Sequence, residues 1–312
     1  MSGTRLFKQK KYKEAQAFYE KGVVQVRKQY PKEHQYYATA LSYLAHAYEK
    51  QRLCKKAESL YKQTLAIQEK LIGKEHLAYA KALRSLANNY YDQKQYEKAQ
   101  PLLEKTLQIM EKKLGKGHKA YLLSFTALAY NLKRAKKYAQ AEKAFLELYT
   151  LRKKIPGTTN KESFESAQKL ANLYFLLGQY KKAVPYSEEM ITLAKAVGNN
   201  DLVYASALDN LALLYDKMYA YQKMEALYLE SKNIVEKKLG KNHLAYARSL
   251  NNLASLYAKT KGYQKAAALF LESKNIVEKK LGKHHLAYAR SLNNLASLYT
   301  KAGACQKAAP LF

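Results

Sequence analysis

A motif of 42 residues recurs along the chain, and that period constrains the fold more than any other feature. The markers His34, His76, His118, Asn160, Asp201, His243 and His285 lie 42, 42, 42, 41, 42 and 42 residues apart. The stretches Leu229 to Phe270 and Leu271 to Phe312 agree at 35 of 42 positions. A fixed period of this size makes each unit one supersecondary element whose apolar side is buried only against its neighbours. The 312 residues are therefore expected to form one elongated array rather than two or three globular domains.

Two helical patterns alternate inside each unit. The first places Ala247, Leu250, Leu253, Ala254 and Tyr257 on one stripe of a helix, with copies at Leu44, Ala45, Tyr48, at Leu86, Ala87, Tyr90 and at Leu295, Ala296, Tyr299. The second runs through Ala266, Leu269, Phe270, Ser273, Ile276, Val277 and Leu281 with the same 3.6-residue period. Each unit is thus a helical hairpin. Leu-Gly-Lys at 114–116, 239–241 and 281–283 puts a glycine just past a lysine-rich helix end, which predicts a left-handed C-cap. Pro101, Pro185 and Pro310 share one repeat position. Because proline is tolerated in a first turn, the second helices are expected to begin near Glu97, Lys181 and Gln306.

At these positions the chain resembles the tetratricopeptide repeat, carried by Leu253, Ala254 and Tyr257 on the first helix and Ala266 and Phe270 on the second. The 42-residue unit with its Leu-Gly-x-x-His connection is similar to the kinesin-light-chain subclass. The resemblance implies an all-α, right-handed superhelical solenoid of antiparallel helix pairs. Its expected divisions are a partial repeat at 1–33, full repeats at 34–75, 76–117, 118–159, 160–200, 201–242 and 243–284, and a truncated one at 285–312, all in one solenoid domain. Met224 replaces the small alanine of a second helix and should widen the packing there, Leu132 replaces the tyrosine, and tryptophan is absent. The connectors Ile155 to Asn160 and Val197 to Asp201 flank a repeat one residue short, where the pitch is expected to change. Neither end carries a polar cap, so the array is expected to continue into a longer protein with any effector domain elsewhere.

Reactive constellations are not evident. Cys54 and Cys305 lie six repeats apart at one inter-helix position, too distant for a bridge, and are expected to be buried or half-buried thiols without a partner that would make them nucleophilic. The histidines stand in register just before helices, where a polar side chain can bond free backbone groups, and they are too far apart to share a metal. No phosphate-cradling glycine loop, Ser-His-Asp set or zinc spacing appears, so no enzyme, cofactor, metal or small-molecule substrate is implied. No apolar run nears the roughly 20 residues of a membrane span and no signal peptide is apparent, which predicts a cytoplasmic protein without membrane contact. The 29 tyrosines occupy repeat-locked positions and read as structural.

What remains is surface. Lys and Arg number 55 against 25 Asp and Glu, a formal charge of +30 that attracts anions of any kind. The lysine pairs at 112–113, 237–238 and 279–280 close second helices, where cations are favourable without any ligand. Opposite the apolar stripe of the first helices lie Arg248, Asn251 and Ser255, repeated as Arg290, Asn293 and Ser297, and differently filled as Lys81, Arg84, Asn88, Tyr91 and as Gln168, Asn172. The resemblance implies that this face lines a concave groove holding an extended peptide. Asparagine can pair with both groups of a peptide bond, and arginine offers a fork matching a carboxylate. The expected function is a protein-interaction scaffold binding an acidic or extended peptide. One alternative is a sensor array of a larger protein with an effector such as a caspase-like peptidase outside this segment. Another is non-specific nucleic-acid contact through charge alone, disfavoured because no base-reading pattern is present.

Overall fold

The structure, a computed structural model, describes residues 3–155, 159–196 and 201–311. Every regular element among them is helical. The chain divides into two compact units, residues 1–156 and 157–312. Unit 1 contains α1 (Gly3–Lys8), α2 (Tyr12–Gln29), α3 (Gln35–Lys50), α4 (Cys54–Ile72), α5 (Leu77–Asp92), α6 (Tyr96–Leu114), α7 (Lys119–Arg134) and α8 (Tyr138–Lys154). Unit 2 contains α9 (Asn160–Leu176), α10 (Tyr180–Ala196), α11 (Asp201–Lys217), α12 (Tyr221–Leu239), α13 (Leu244–Lys259), α14 (Tyr263–Leu281), α15 (Leu286–Lys301) and α16 (Cys305–Ala308), then a 3₁₀ turn, Ala309–Leu311. Within each unit every helix packs on the next, so antiparallel hairpins stack in chain order, as the period requires.

Small residues let the paired helices approach closely. Ala45, Ala87, Ala129, Ala212 and Ala254 on first helices, and Ala57, Ala99, Ala141, Ala183 and Ala266 on second helices, are fully buried. Around them pack leucines such as Leu41, Leu103, Leu170 and Leu250, each contributing roughly 1.5–3 kcal/mol by leaving water. Met224 is equally buried, and α11 and α12 stay in close contact. The widening expected there does not occur, because an unbranched thioether can bend into the space available.

The repeat tyrosine serves as a clip. Tyr48, Tyr90 and Tyr257 donate their hydroxyls to Glu20, Glu58 and Glu225 of the preceding second helix, at 2.7, 3.1 and 2.6 Å. Eight residues on, Lys56, Lys98 and Lys265 lie over the same rings, 5.5 to 5.7 Å from their centroids. Where Leu132 replaces the tyrosine, Gln140 occupies the lysine position, so ring and cation are lost together.

Five register histidines are helix caps. His34, His76, His118, His243 and His285 each accept, at Nδ1, the backbone N–H two residues ahead, at 3.0 to 3.2 Å. Each satisfies an otherwise free donor of a first turn. The marker Asn160 breaks the rule: α9 begins one residue early, and Thr159 caps it in a reciprocal box with Glu162. The pitch change expected at the neighbouring connectors falls on residues 156–158 and 197–200, outside the described residues.

Three local expectations need correction. The second helices start one residue early, at Tyr96, Tyr180 and Cys305, so Pro101 and Pro185 are sixth in their helices. Both prolines are exposed, so the carbonyl each leaves unpaired sits on the water-facing side. The glycines after the second helices are not left-handed caps: Gly73, Gly115, Gly240 and Gly282 combine φ of 76° to 80° with ψ of 160° to 168°, a region open essentially to glycine alone. The left-handed residues stand instead in the hairpin turns, at Lys10, Arg52, Lys94, Lys136, Tyr219 and Lys261. Finally, Cys54 is half-buried, with its thiol pushed up by burial and by Asp92 and Glu49, whereas Cys305 is exposed at the start of α16, which is only four residues long.

Candidate functional site

The core stripe of each first helix is buried against second helices, which leaves the opposite stripe free. In unit 1, α5 presents Lys81 and Asn88 exposed, and Arg84 and Tyr91 half-buried. Arg84 reaches α7, where Nη1 donates to Ser124 Oγ at 3.4 Å. Burial pushes the guanidinium below its ordinary range. The Tyr91 hydroxyl raises the Arg134 guanidinium, and its ring meets Tyr96 edge-on, ring centroids 5.5 Å apart.

Lys133 is the repeat equivalent of Tyr91, 42 residues on, and is also half-buried. Burial, then the neighbouring Arg134, lower the Lys133 ammonium. Register arithmetic alone could have found this residue. Among the described residues neither Arg84 nor Lys133 meets a carboxylate. Glu49, the carboxylate that α3 places at the same position, is engaged: Tyr61 donates to it at 2.7 Å and His46 stands 3.2 Å away.

In unit 2 the free face carries Gln168 and Asn172 on α9, Arg248, Asn251 and Ser255 on α13, and Arg290, Asn293 and Ser297 on α15. Asn172, Arg248, Ser255, Arg290, Asn293 and Ser297 are exposed, whereas Gln168 and Asn251 are half-buried. The Oδ1 atom of Asn251 is buried and meets no donor. Asp209 fills the Asn251 position on α11, so the row is not uniformly basic. Burial pushes its carboxyl up, while the nearby Ser231 hydroxyl, the charge of Arg248 and the Asn252 amide pull it down. The sequence residues therefore assemble into two chemically different faces. That of unit 1 holds half-buried cations without counter-charge; that of unit 2 mixes amides, arginines and a partly compensated acid.

Among the described residues, no group of three or more His, Cys, Asp or Glu could hold a metal ion and no helix is long and apolar enough to cross a membrane.

Comparison with known proteins matches the tetratricopeptide repeat at residues 3–70, 36–112, 78–154, 220–279 and 250–312. Residues 155–219, with the Thr159 cap and the short repeat, lie between the matched segments, yet α9, α10 and α11 pack in the same succession. No curated protein matches the chain. Among solved structures, BtubC (BKLC) from P. vanneervenii is similar at 20% identity and TM-score 0.56, over 70% of this chain and 87% of that one. A signal transduction ATPase with numerous domains and a tetratricopeptide repeat sensor, from Pyrococcus horikoshii, is similar at 19% identity and TM-score 0.63, over 94% of this chain and 44% of that one. The apo quorum sensor NprR from B. thuringiensis is similar at 13% identity and TM-score 0.55, over 99% of this chain and 83% of that one. At these identities the likeness is one of fold.

Proposed function

Because the chain belongs to the tetratricopeptide-repeat family, we propose that it is a protein-interaction scaffold whose first-helix faces capture an extended peptide segment, with an acidic side chain or terminus anchored in unit 1. The observation that carries the reading is the pair Arg84 and Lys133. A cation taken partly out of water without a carboxylate partner raises the free energy of the folded protein, and an incoming carboxylate relieves that cost. Asn88 and Lys81, exposed beside Arg84, add amide and charge contacts along the same stripe. Taken by itself, the unit 2 face suits a segment of the same kind, with Asn251 and Asn293 for its backbone and Arg248 and Arg290 for its acidic side chains.

The test uses two fluorescent extended peptides of equal length, one rich in Glu and one with Gln at the same places, titrated by anisotropy. The Glu peptide should bind more tightly, and Arg84→Ala should weaken it by roughly 10- to 100-fold, the range for a hydrogen bond to a charged group. Replacing Arg248, Asn251, Arg290 and Asn293 by Ala should leave the helical signal intact and further reduce capture. Equal binding of both peptides, or an unchanged affinity in folded Arg84→Ala, contradicts the reading. A second reading, the sensor array of a larger protein, is supported by likeness to the P. horikoshii ATPase, of which this chain spans 44%. It uses the same faces with ligand capture as the input to a further domain.

A further inference from the structure

A second basic feature of unit 1 lies at the hairpin turns. The α5–α6 and α7–α8 turns border an open cleft of about 420 Å³, lined by residues 94–98 and 134–136. Four cations line it, Lys94, Lys98, Arg134 and Lys136, against one carboxylate, Glu97. Glu97 is engaged from outside the cleft: Lys137 donates to Glu97 Oε2 at 2.7 Å and to Gln100 Oε1 at 2.9 Å. The walls are fixed. Buried Asn131 donates Nδ2 to the Tyr96 carbonyl at 2.9 Å, tying the end of α7 to the start of α6. Tyr91, whose hydroxyl raises the Arg134 guanidinium, leans edge-on against Tyr96, and Lys98 rests over the Tyr90 ring.

The repeat supplies its own controls. The four equivalent positions read Lys10, Glu14, Lys50, Arg52 and then Arg52, Lys56, Asp92, Lys94 at the earlier junctions of unit 1. In unit 2 they read Gly178, Lys182, Lys217, Tyr219, then Tyr219, Lys223, Lys259, Lys261, then Lys261, Lys265, Lys301, Gly303. Each of these includes an acid, a glycine or a tyrosine, and Lys259 is further neutralised by Asp216 at 2.5 Å. Folding does not demand a cation at the position of Lys94 and Lys136, since Gly178, Gly303 and Tyr219 serve the same left-handed turn. Gathering four like charges around one cleft is unfavourable in the free protein, and an anion reverses that. A carboxylate offers one charge. A phosphate monoester offers about two and several acceptor oxygens, which suits the arginine fork and the lysines around it. The volume exceeds a bare phosphate and leaves room for the group that carries it.

We propose that this cleft is a binding site for a phosphate monoester, with Arg134 and Lys136 from one turn and Lys94 and Lys98 from the other closing on the phosphoryl oxygens. It shares none of these four residues with the peptide-binding reading and stands or falls separately.

Calorimetric titrations at constant ionic strength with inorganic phosphate, a phosphoserine peptide and its unphosphorylated form, and chloride as the control anion, test it. The full chain should bind the phosphorylated probes and not the unphosphorylated peptide. Arg134→Gln and Lys136→Gln should each weaken binding about tenfold, as expected for one charge-assisted contact. Lys261→Gln and Lys301→Gln at the unit 2 counterpart, and Arg84→Ala on the first-helix face, should leave it unchanged. Phosphopeptide binding much tighter than phosphate identifies a modified protein side chain as the source, and comparable affinities identify a free phosphorylated compound. No heat with either phosphorylated probe, or equal weakening by the unit 1 and unit 2 variants with helical signal intact, overturns the proposal.

Discussion

Gly240 and Gly262 flank the same helix, α13, and a methyl group added at each should have opposite consequences. Gly240 sits at φ 78° and ψ 163°, a conformation essentially closed to other residues, while an added Cβ would meet nothing within 4 Å. The cost of Gly240→Ala is therefore entirely backbone strain, about 1–3 kcal/mol. The smaller conformational freedom of the unfolded alanine chain offsets about 0.4–1 kcal/mol of it. Gly262 caps α14 at φ −77° and ψ 54°, and its added Cβ would lie 3.5 Å from Tyr257, an ordinary contact. Gln95, Lys137 and Ala220 hold the same conformation in other repeats, with φ of −80° to −89° and ψ of 61° to 63°. Gly262→Ala should consequently stabilise by about 0.4–1 kcal/mol through the unfolded chain alone. Urea unfolding followed by far-ultraviolet circular dichroism should separate the two variants by roughly 1–3 kcal/mol, read from midpoints at a common slope. If Gly240→Ala proves no less stable than Gly262→Ala, the assignment of those glycines as backbone-imposed is wrong.

Two further predictions concern first helices. Asp209→Asn should stabilise the protein by up to about 1 kcal/mol at pH 7, since it removes a buried charge whose Oδ1 has no donor. Because burial raises the folded carboxyl above its unfolded value, the native state holds its proton more tightly. The Asp209 form is thus at no disadvantage below the ordinary carboxylate range and loses stability as pH rises through the folded value, so the gap between the two proteins in urea midpoints should narrow on acidification from pH 7 to pH 4. His243→Ala should cost about 1 kcal/mol by freeing the Ala245 N–H, and His243→Asn should restore most of it in thermal melts.

Much of the fold could be read before any coordinates. The spacing of Leu250, Leu253, Ala254 and Tyr257 fixed a first helix, and the 42-residue recurrence fixed that it repeats. The register histidines were legible as polar residues before helices and are caps, because a first turn always leaves donors free. What escaped was whatever depends on a neighbour 30 to 42 residues away. The burial of Lys133 and of Asp209 and the clip from Tyr257 to Glu225 carry no local signature, since their environment is built by adjacent repeats.

The sequence by itself determined that this protein is an array of helical hairpins, because a period of apolar positions is a property of one chain segment and survives whatever surrounds it. Only the tertiary structure decided which of the first-helix cations are ordinary solvated charges and which stand partly desolvated without a carboxylate. Arg248 and Arg84 both read in sequence as cations of the first-helix face, but desolvation depends on what the stacked neighbours place around each side chain: Arg248 faces water and Arg84 is closed in beside Ser124.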